Sequence, residues 1–223
     1  MYNIELHIFT NCTQYAPNID TIKTTYNSFC ETFGSMNATV WCDPKPNKSS
    51  SKIYEENLKS IFTKVNTTTC FADGYIRAVN QSKSDFLFML EHDWIFNKKH
   101  ISHSLDNICK IMNDNNLIHM RFNKRETLAI KWDKNLIIKD DYCLTDAVSN
   151  NPHLIHREKF IKQGLPHITV PPEGQRGGVE QNLTAVKNFK GSIYGTVNLP
   201  ATVKHLDGSN RRGNFFRKKT VNQ

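Results

Sequence analysis

Apolar and polar positions alternate from Ile4 to Phe9, and the run closes on Thr10-Asn11, which predicts a first strand ending at polar residues. Ile19, Ile22, Tyr26, Phe29 and Phe33 then recur at the spacing of one helix face, with Gly34 as a natural stop. A second short strand, Ala38 to Cys42, ends in Asp43-Pro44, and the polar stretch Lys45–Lys52 predicts a loop. Ile53, Leu58, Ile61, Phe62 and Val65 mark a second helix extending to about Val65. A short helix over Gly74–Ser82 precedes Asp85–Leu90, where the unbroken apolar run from Phe86 predicts a strand buried on both faces. Ser104 is placed to cap a further helix carrying Leu105, Ile108, Ile111 and Met112.

Strand, helix, strand, helix, helix, strand implies an α/β fold with a mainly parallel central sheet flanked by helices. After residue 117 the pattern changes. Leu117–Phe122, Leu128–Trp132 and Leu136–Ile138 predict short strands, and Arg157–Gln163 and Val179–Asn188 short helices. Ser192–Val197 and Ala201–His205 predict two last strands. Nothing reads as a repeat or a linker, so a single domain over 1–223 is expected.

Composition narrows the picture. Hydrophobic residues make up 38% of the chain, enough for a packed core. No apolar run approaches bilayer length, and Met1-Tyr2-Asn3-Ile4-Glu5 has neither a basic nor an apolar signal region, which predicts a cytoplasmic protein. The six cysteines contain no C-x-x-C pair and read as reduced thiols rather than disulfides or zinc ligands. A net charge of +8 admits an anionic partner: nucleic acid, a membrane surface or a phosphorylated small molecule. Much of the excess sits in Arg211, Arg212, Arg217, Lys218 and Lys219, a basic tail that either is simply solvated or contacts phosphates or a membrane periphery. Nucleic acid is not expected, because the aromatics fall at core-like spacing rather than interleaving with basic residues.

The candidate chemistry lies after the buried strand. Glu91-His92-Asp93 puts two carboxylates at the carboxyl edge of the sheet, where open α/β sheets bind ligands. Along an extended chain, residues two apart face the same way, so both acids are expected to face one site. Hard oxygen ligands suit Mg²⁺ or Mn²⁺, which in turn bridge a diphosphate. The alternative is a strand leaving into a solvated acidic turn.

An acidic pair after a buried strand, preceded by the helix Gly74-Tyr-Ile-Arg-Ala-Val-Asn80, resembles the GT-A glycosyltransferases, especially the inverting family-2-like group. Their Asp-x-Asp motif reads Glu91-His92-Asp93 here, with Glu in place of the first Asp. The resemblance covers about the first hundred residues well. It implies a nucleotide-sugar-binding half over 1–100 and an acceptor-binding half over 101–223. It further implies Asp93 as the main metal ligand, with Glu91 as a second ligand or a contact to sugar or nucleotide. Thr10, Asn11 and Asp43 would surround the nucleoside. Arg77 would contact the donor or organise the acidic pair; an ion pair with Asp73 is its other reading. Asn151–His156 resembles the segment that shapes the acceptor pocket, though His153 and His156 read more readily as structural.

An inverting transferase needs a carboxylate to take a proton from the acceptor hydroxyl. Glu180, opening a late helix after the loop from Pro171, occupies the matching place, with Glu173 in reserve; a Glu there is also favoured by the helix dipole alone. His205, in Lys204-His-Leu-Asp-Gly208, resembles the late His that returns to the metal, and Arg211 and Arg212 would neutralise a leaving diphosphate. The expected partners are a nucleotide diphosphate sugar and a glycan or other hydroxyl acceptor. Two alternatives stand beside this reading. One is nucleotidyl transfer, although residues 8–20 lack the glycine-rich, basic phosphate loop usual there; the other is a non-catalytic protein that binds nucleotide sugars or nucleic acid.

Overall fold

Strand β1 (Ile4–Asn11) sends Leu6 and Ile8 to one face of a sheet and Phe9 to the other. The same alternation divides β2 (Ala38–Asp43), with Val40 and Cys42 against Trp41. In β4 (Phe86–Glu91), Phe86, Phe88 and Leu90 oppose Leu87 and Met89, so the apolar run is buried on both sides. Two cores result. The first packs under α1 (Asp20–Phe33), α2 (Ser49–Lys59) and α4 (Leu105–Asp114), the second under α3 (Phe71–Gln81), α5 (Arg157–Gln163) and α6 (Val179–Thr184). This computed structural model describes residues 1–11, 18–43, 49–128, 133, 135–172, 178–187 and 189–206.

The remaining strands are β3 (Lys64–Thr67), β5 (Trp94–Phe96), β6 (His119–Arg121), β7 (Ile137–Ile138), β8 (Tyr142–Thr145), β9 (His153–His156), β10 (Gly191–Tyr194) and β11 (Val203–His205). Nine strands form one sheet in the order β3-β2-β1-β4-β9-β6-β10-β8-β7, while β5 and β11 form a separate ribbon. β3, β2, β1 and β4 are mutually parallel; β9 runs against β4 and β6, and β8 against β10 and β7. The α/β architecture with a mostly parallel central sheet is therefore as the pattern predicts. No helix among the described residues is long and apolar enough to cross a membrane.

Several boundaries differ from expectation. α2 starts at Ser49, inside the predicted loop, and ends at Lys59; Val65 belongs to β3 instead of the helix. Helical spacing misled there because Phe62 packs into the core from a turn after the helix, whose amide bonds back to the Leu58 carbonyl at 2.9 Å. The third helix begins at Phe71 rather than Gly74. The strand expected over Ser192–Val197 stops at Tyr194, because Gly195 turns the chain with φ 81. Residues 129–132 of the strand expected at Leu128–Trp132 lie outside the described residues. Ser104 caps α4 as expected, its hydroxyl accepting from the Asn107 amide at 3.3 Å.

Candidate functional site

In the sheet, β2 and β3 lie on one side of β1 and β4 on the other. Such a reversal of strand order leaves a crevice between diverging loops at the carboxyl edge. Here it is an open cleft. Thr10 and Asn11 from β1, Asp43 from β2 and Glu91 from β4 line it, as expected of residues ending adjacent parallel strands. The rings of Phe9, Trp41 and Phe71 form its apolar part, with Thr68 and His92 completing the lining. The Thr10 and Tyr54 hydroxyls are 2.6 Å apart, tying β1 to α2.

Gly74 sets how closely α3 approaches this cleft. A Cβ there would stand 3.3 Å from Thr68 Cγ2 and from Trp41 Cβ, and 3.5 Å from Phe9 Cδ1. Arg77, on the same helix, is not among the lining residues. Its Nη1 donates to the Thr67 carbonyl at 2.8 Å and lies 3.7 Å from Asp73, and its guanidinium stands 5.3 Å from the Trp41 ring centroid. The ion pair with Asp73 is thus formed, and Arg77 reaches the cleft only through Trp41.

The acidic pair does not lie along one extended strand, as the spacing argument required. β4 ends at Glu91, the chain turns at His92-Asp93, and Trp94 opens β5. Helix α1 holds this turn. The Thr25 hydroxyl donates to the His92 carbonyl at 2.6 Å and accepts the Trp94 amide at 3.1 Å, while the Ser28 hydroxyl accepts the Phe96 amide at 2.8 Å. The His92 amide donates to the Phe9 carbonyl at 3.0 Å, joining the turn to the end of β1.

β11 lies antiparallel to β5 with His205 opposite Trp94. It therefore brings His205 Nε2 to 3.0 Å from Asp93 Oδ2, and the Leu206 amide to 2.7 Å from the Asp93 carbonyl. Burial, then the negative charge of Asp93, pushes the Glu91 carboxyl up to about 8. Burial also acts to raise Asp93, but the hydrogen bond from His205 and the charges of His92 and His205 outweigh it and hold Asp93 below its ordinary value. His205 is raised by that same hydrogen bond.

Glu180 stands partly buried in the first turn of α6, where its Oε2 accepts the Asn150 amide at 3.3 Å. Its charge reaches Glu91 on one side and the buried Arg121 on the other. Arg121 in turn donates to the fully buried Asp133 at 2.5 Å. His153 lies inside the core rather than in a pocket. Its Nδ1–H donates to the Asn151 carbonyl at 2.8 Å, which leaves Nε2 to accept the Tyr75 hydroxyl at 2.9 Å. His156 stacks edge-on against Phe86. Glu173, Arg211 and Arg212 lie outside the described residues.

Among the described residues, no three His, Cys, Asp or Glu side chains are gathered into a ready metal cage. What the site offers is an acidic pair with one unsatisfied oxygen: Asp93 Oδ1 is buried and, among the described residues, has no hydrogen-bond partner. The unsatisfied Asp93 Oδ1 and the neighbouring Glu91 carboxyl are hard oxygen donors of the kind a divalent cation takes, while the His205 imidazole is engaged with Asp93 Oδ2. Sequence reasoning missed Trp41, Phe71, Tyr54 and Thr25. Trp41 was recoverable, since it precedes Asp43 by two in one strand; the other three act across elements and leave no local signal.

The central sheet and its flanking helices have a fold shared with solved structures of a glycosyltransferase. The solved structures that share it include TarS from S. aureus. TarS 1–349 superposes with a TM-score of 0.52 at 11% identity, covering 94% of this chain and 62% of that one. A second TarS structure gives 0.55 at 12% identity over 91% and 36% of the two chains. TarS 1–349 in complex with UDP-GlcNAc gives 0.53 at 10% identity over 90% and 58%. This chain thus spans less than two thirds of each, and the likeness is one of fold. No family model matches the chain, and no curated protein matches it in sequence.

Proposed function

We propose that this protein transfers a sugar from a nucleotide diphosphate sugar, a UDP-sugar in the first instance, to an acceptor hydroxyl with inversion at the anomeric carbon. The observation that carries the reading is the abutment of the aromatic-and-acid-lined cleft on the Glu91–Asp93–His205 turn, through the shared residue Glu91. The TarS structures solved with UDP-GlcNAc and with UDP support the choice of donor.

In this reading Phe9, Trp41 and Phe71 cover the faces of the nucleoside, and Asp43 with Thr10 and Asn11 accepts or donates at its polar edge. Asp93, Glu91 and His205 would hold Mn²⁺ or Mg²⁺. When bound, that cation supplies positive charge to the diphosphate oxygens. Glu180 takes the proton of the acceptor hydroxyl as its oxygen bonds to the anomeric carbon; the bond from that carbon to the diphosphate oxygen breaks, and the nucleoside diphosphate leaves. Asn150, by donating to Glu180, orients the carboxylate that does this. The basic residues after β11 are suited to the leaving phosphates or to a membrane periphery where an acceptor is presented.

The test is a thermal-shift series with nucleoside diphosphates and their sugars, with and without Mn²⁺, on the wild type and Asp93→Ala. A ligand that binds only the folded state raises the melting temperature by mass action. A Mn²⁺-dependent rise with UDP or a UDP-sugar, lost in Asp93→Ala, is expected. No rise with any nucleotide sinks the donor assignment, and binding without sugar transfer to any hydroxyl leaves a non-catalytic binding protein.

A further inference from the structure

We propose that Lys124 is a donor-binding residue whose ammonium contacts the phosphate oxygens of the donor at the rim of the acidic turn. The inference rests on the nucleotide-sugar reading above and adds to it a residue that neither sequence motif nor fold likeness points out.

The case is built from the backbone outward. Residues 121–124 leave the carboxyl end of β6 and are clamped to the segment entering β11. The Asn123 amide donates to the Thr202 hydroxyl at 2.9 Å, and the Asn123 carbonyl accepts the amides of Thr202 at 2.9 Å and Val203 at 3.3 Å. Asn123 and Thr202 are both buried, so this clamp is shielded from competing water. β11 is the strand that delivers His205 to Asp93. A clamp on its first residues therefore fixes Lys124 relative to His205, although the two are far apart in sequence.

The side chain confirms the placement. Lys124 Nζ stands 5.9 Å from the centroid of the Trp94 ring, and the His205 ring meets the same indole edge-on at 4.6 Å. Trp94 thus carries a cation on its surface and the candidate ligand at its flank.

Lys124 is exposed and, among the described residues, forms no ion pair with a carboxylate. This distinguishes it from Lys59, Lys110, Lys162 and Lys190, each of which is paired with an Asp or Glu. An ammonium over the Trp94 ring next to the acidic turn, bonded to no carboxylate among the described residues, has three donors to offer a ligand. With the carboxylates committed to a divalent cation, the anionic groups left for it are phosphate oxygens. The exposed flank also means that substitution removes charge without opening a cavity.

The experiment is calorimetric titration of uridine, UMP and UDP, with Mn²⁺, into wild type, Lys124→Met and Lys124→Arg, with melting temperatures measured in parallel. The expected result is UDP affinity about tenfold weaker in Lys124→Met, the scale of one charge-assisted hydrogen bond, with uridine affinity and melting temperature unchanged and Lys124→Arg close to wild type. If wild type binds UDP and Lys124→Met binds it equally well, the assignment of Lys124 is overturned while the donor reading stands. Equal weakening of uridine and UDP also overturns it, since the effect then lies in the nucleoside cleft. Failure of wild type to bind UDP at all overturns the donor reading and Lys124 with it.

Discussion

Asp93 has one carboxylate oxygen bonded to His205 at 3.0 Å and one buried without a partner among the described residues, and this asymmetry sets the first expectations at the residue scale. Asp93→Ala should lower transfer at least ~10²-fold, as loss of a preorganised charge at a reacting diphosphate does, measured as product formed from a UDP-sugar. Glu180→Gln should behave differently. The amide oxygen can still accept from Asn150, so UDP binding is retained, whereas kcat falls by roughly 10²–10⁴ through loss of the base. Equal loss of UDP binding in the Gln variant would assign Glu180 to the donor instead. Away from the site, burial pushes His153 down to about 4, and burial, with the charges of His153 and Arg121, pushes His119 well below its usual value. Both are neutral when folded, so between about pH 6.5 and 4 the unfolded chain binds more protons than the native one, and stability falls with acid. The raised Glu91 carboxyl acts in the opposite sense over the same range, so urea unfolding of Glu91→Gln at pH 7, 6 and 5 should show a loss approaching ~1.4 kcal/mol per pH unit for each histidine; stability of that variant that is flat or rises on acidification contradicts this.

At the scale of elements, the cleft is held by contacts between neighbours rather than by any single strand. Gly74→Val should cost about 1–3 kcal/mol by overpacking, and should weaken nucleotide binding too, because the atoms displaced belong to the lining residues Thr68, Trp41 and Phe9. Thr25→Val removes the hydroxyl that bonds both the His92 carbonyl and the Trp94 amide at the acidic turn, with an expected cost of about 1–3 kcal/mol in urea unfolding and weaker Mn²⁺-dependent UDP binding. The same contacts explain what the sequence made legible. β4 announces itself because Phe86 to Leu90 is apolar on both faces, and α1 because Ile22 and Phe29 point one way. β3 stayed hidden: Lys64 and Thr67 are exposed on an edge strand, so no alternation marks them. β9 gave no strand signal because its four residues owe their place to insertion between β4 and β6, a pairing decided by the whole sheet. At the site, Glu91, Asp93 and His205 were legible as residue types near strand ends. Their joining by a turn and a two-stranded ribbon was not, since Thr25 and Ser28 sit far from the turn in sequence, and Asn123, which clamps the entry to β11, sits far from His205.

At the scale of the molecule, two cores on opposite faces of one sheet share its central strands, so damage to β4 reaches both. Phe88 meets Phe29, Phe96 and Phe122 within one aromatic cluster. Phe88→Ala should therefore cost about 3–5 kcal/mol, read from thermal or urea unfolding, with loss of nucleotide binding following only as the protein unfolds. The ribbon of β5 and β11 has a consequence for how the protein is made. Asp93 emerges from the ribosome long before His205, and until β11 is synthesised the newborn chain carries the two acids without the His205 imidazole that bonds to Asp93. The pair on which the proposed activity depends therefore waits on a strand made well after the acids themselves. The proposed site is thus completed by the later-made half of these residues rather than by the first half alone.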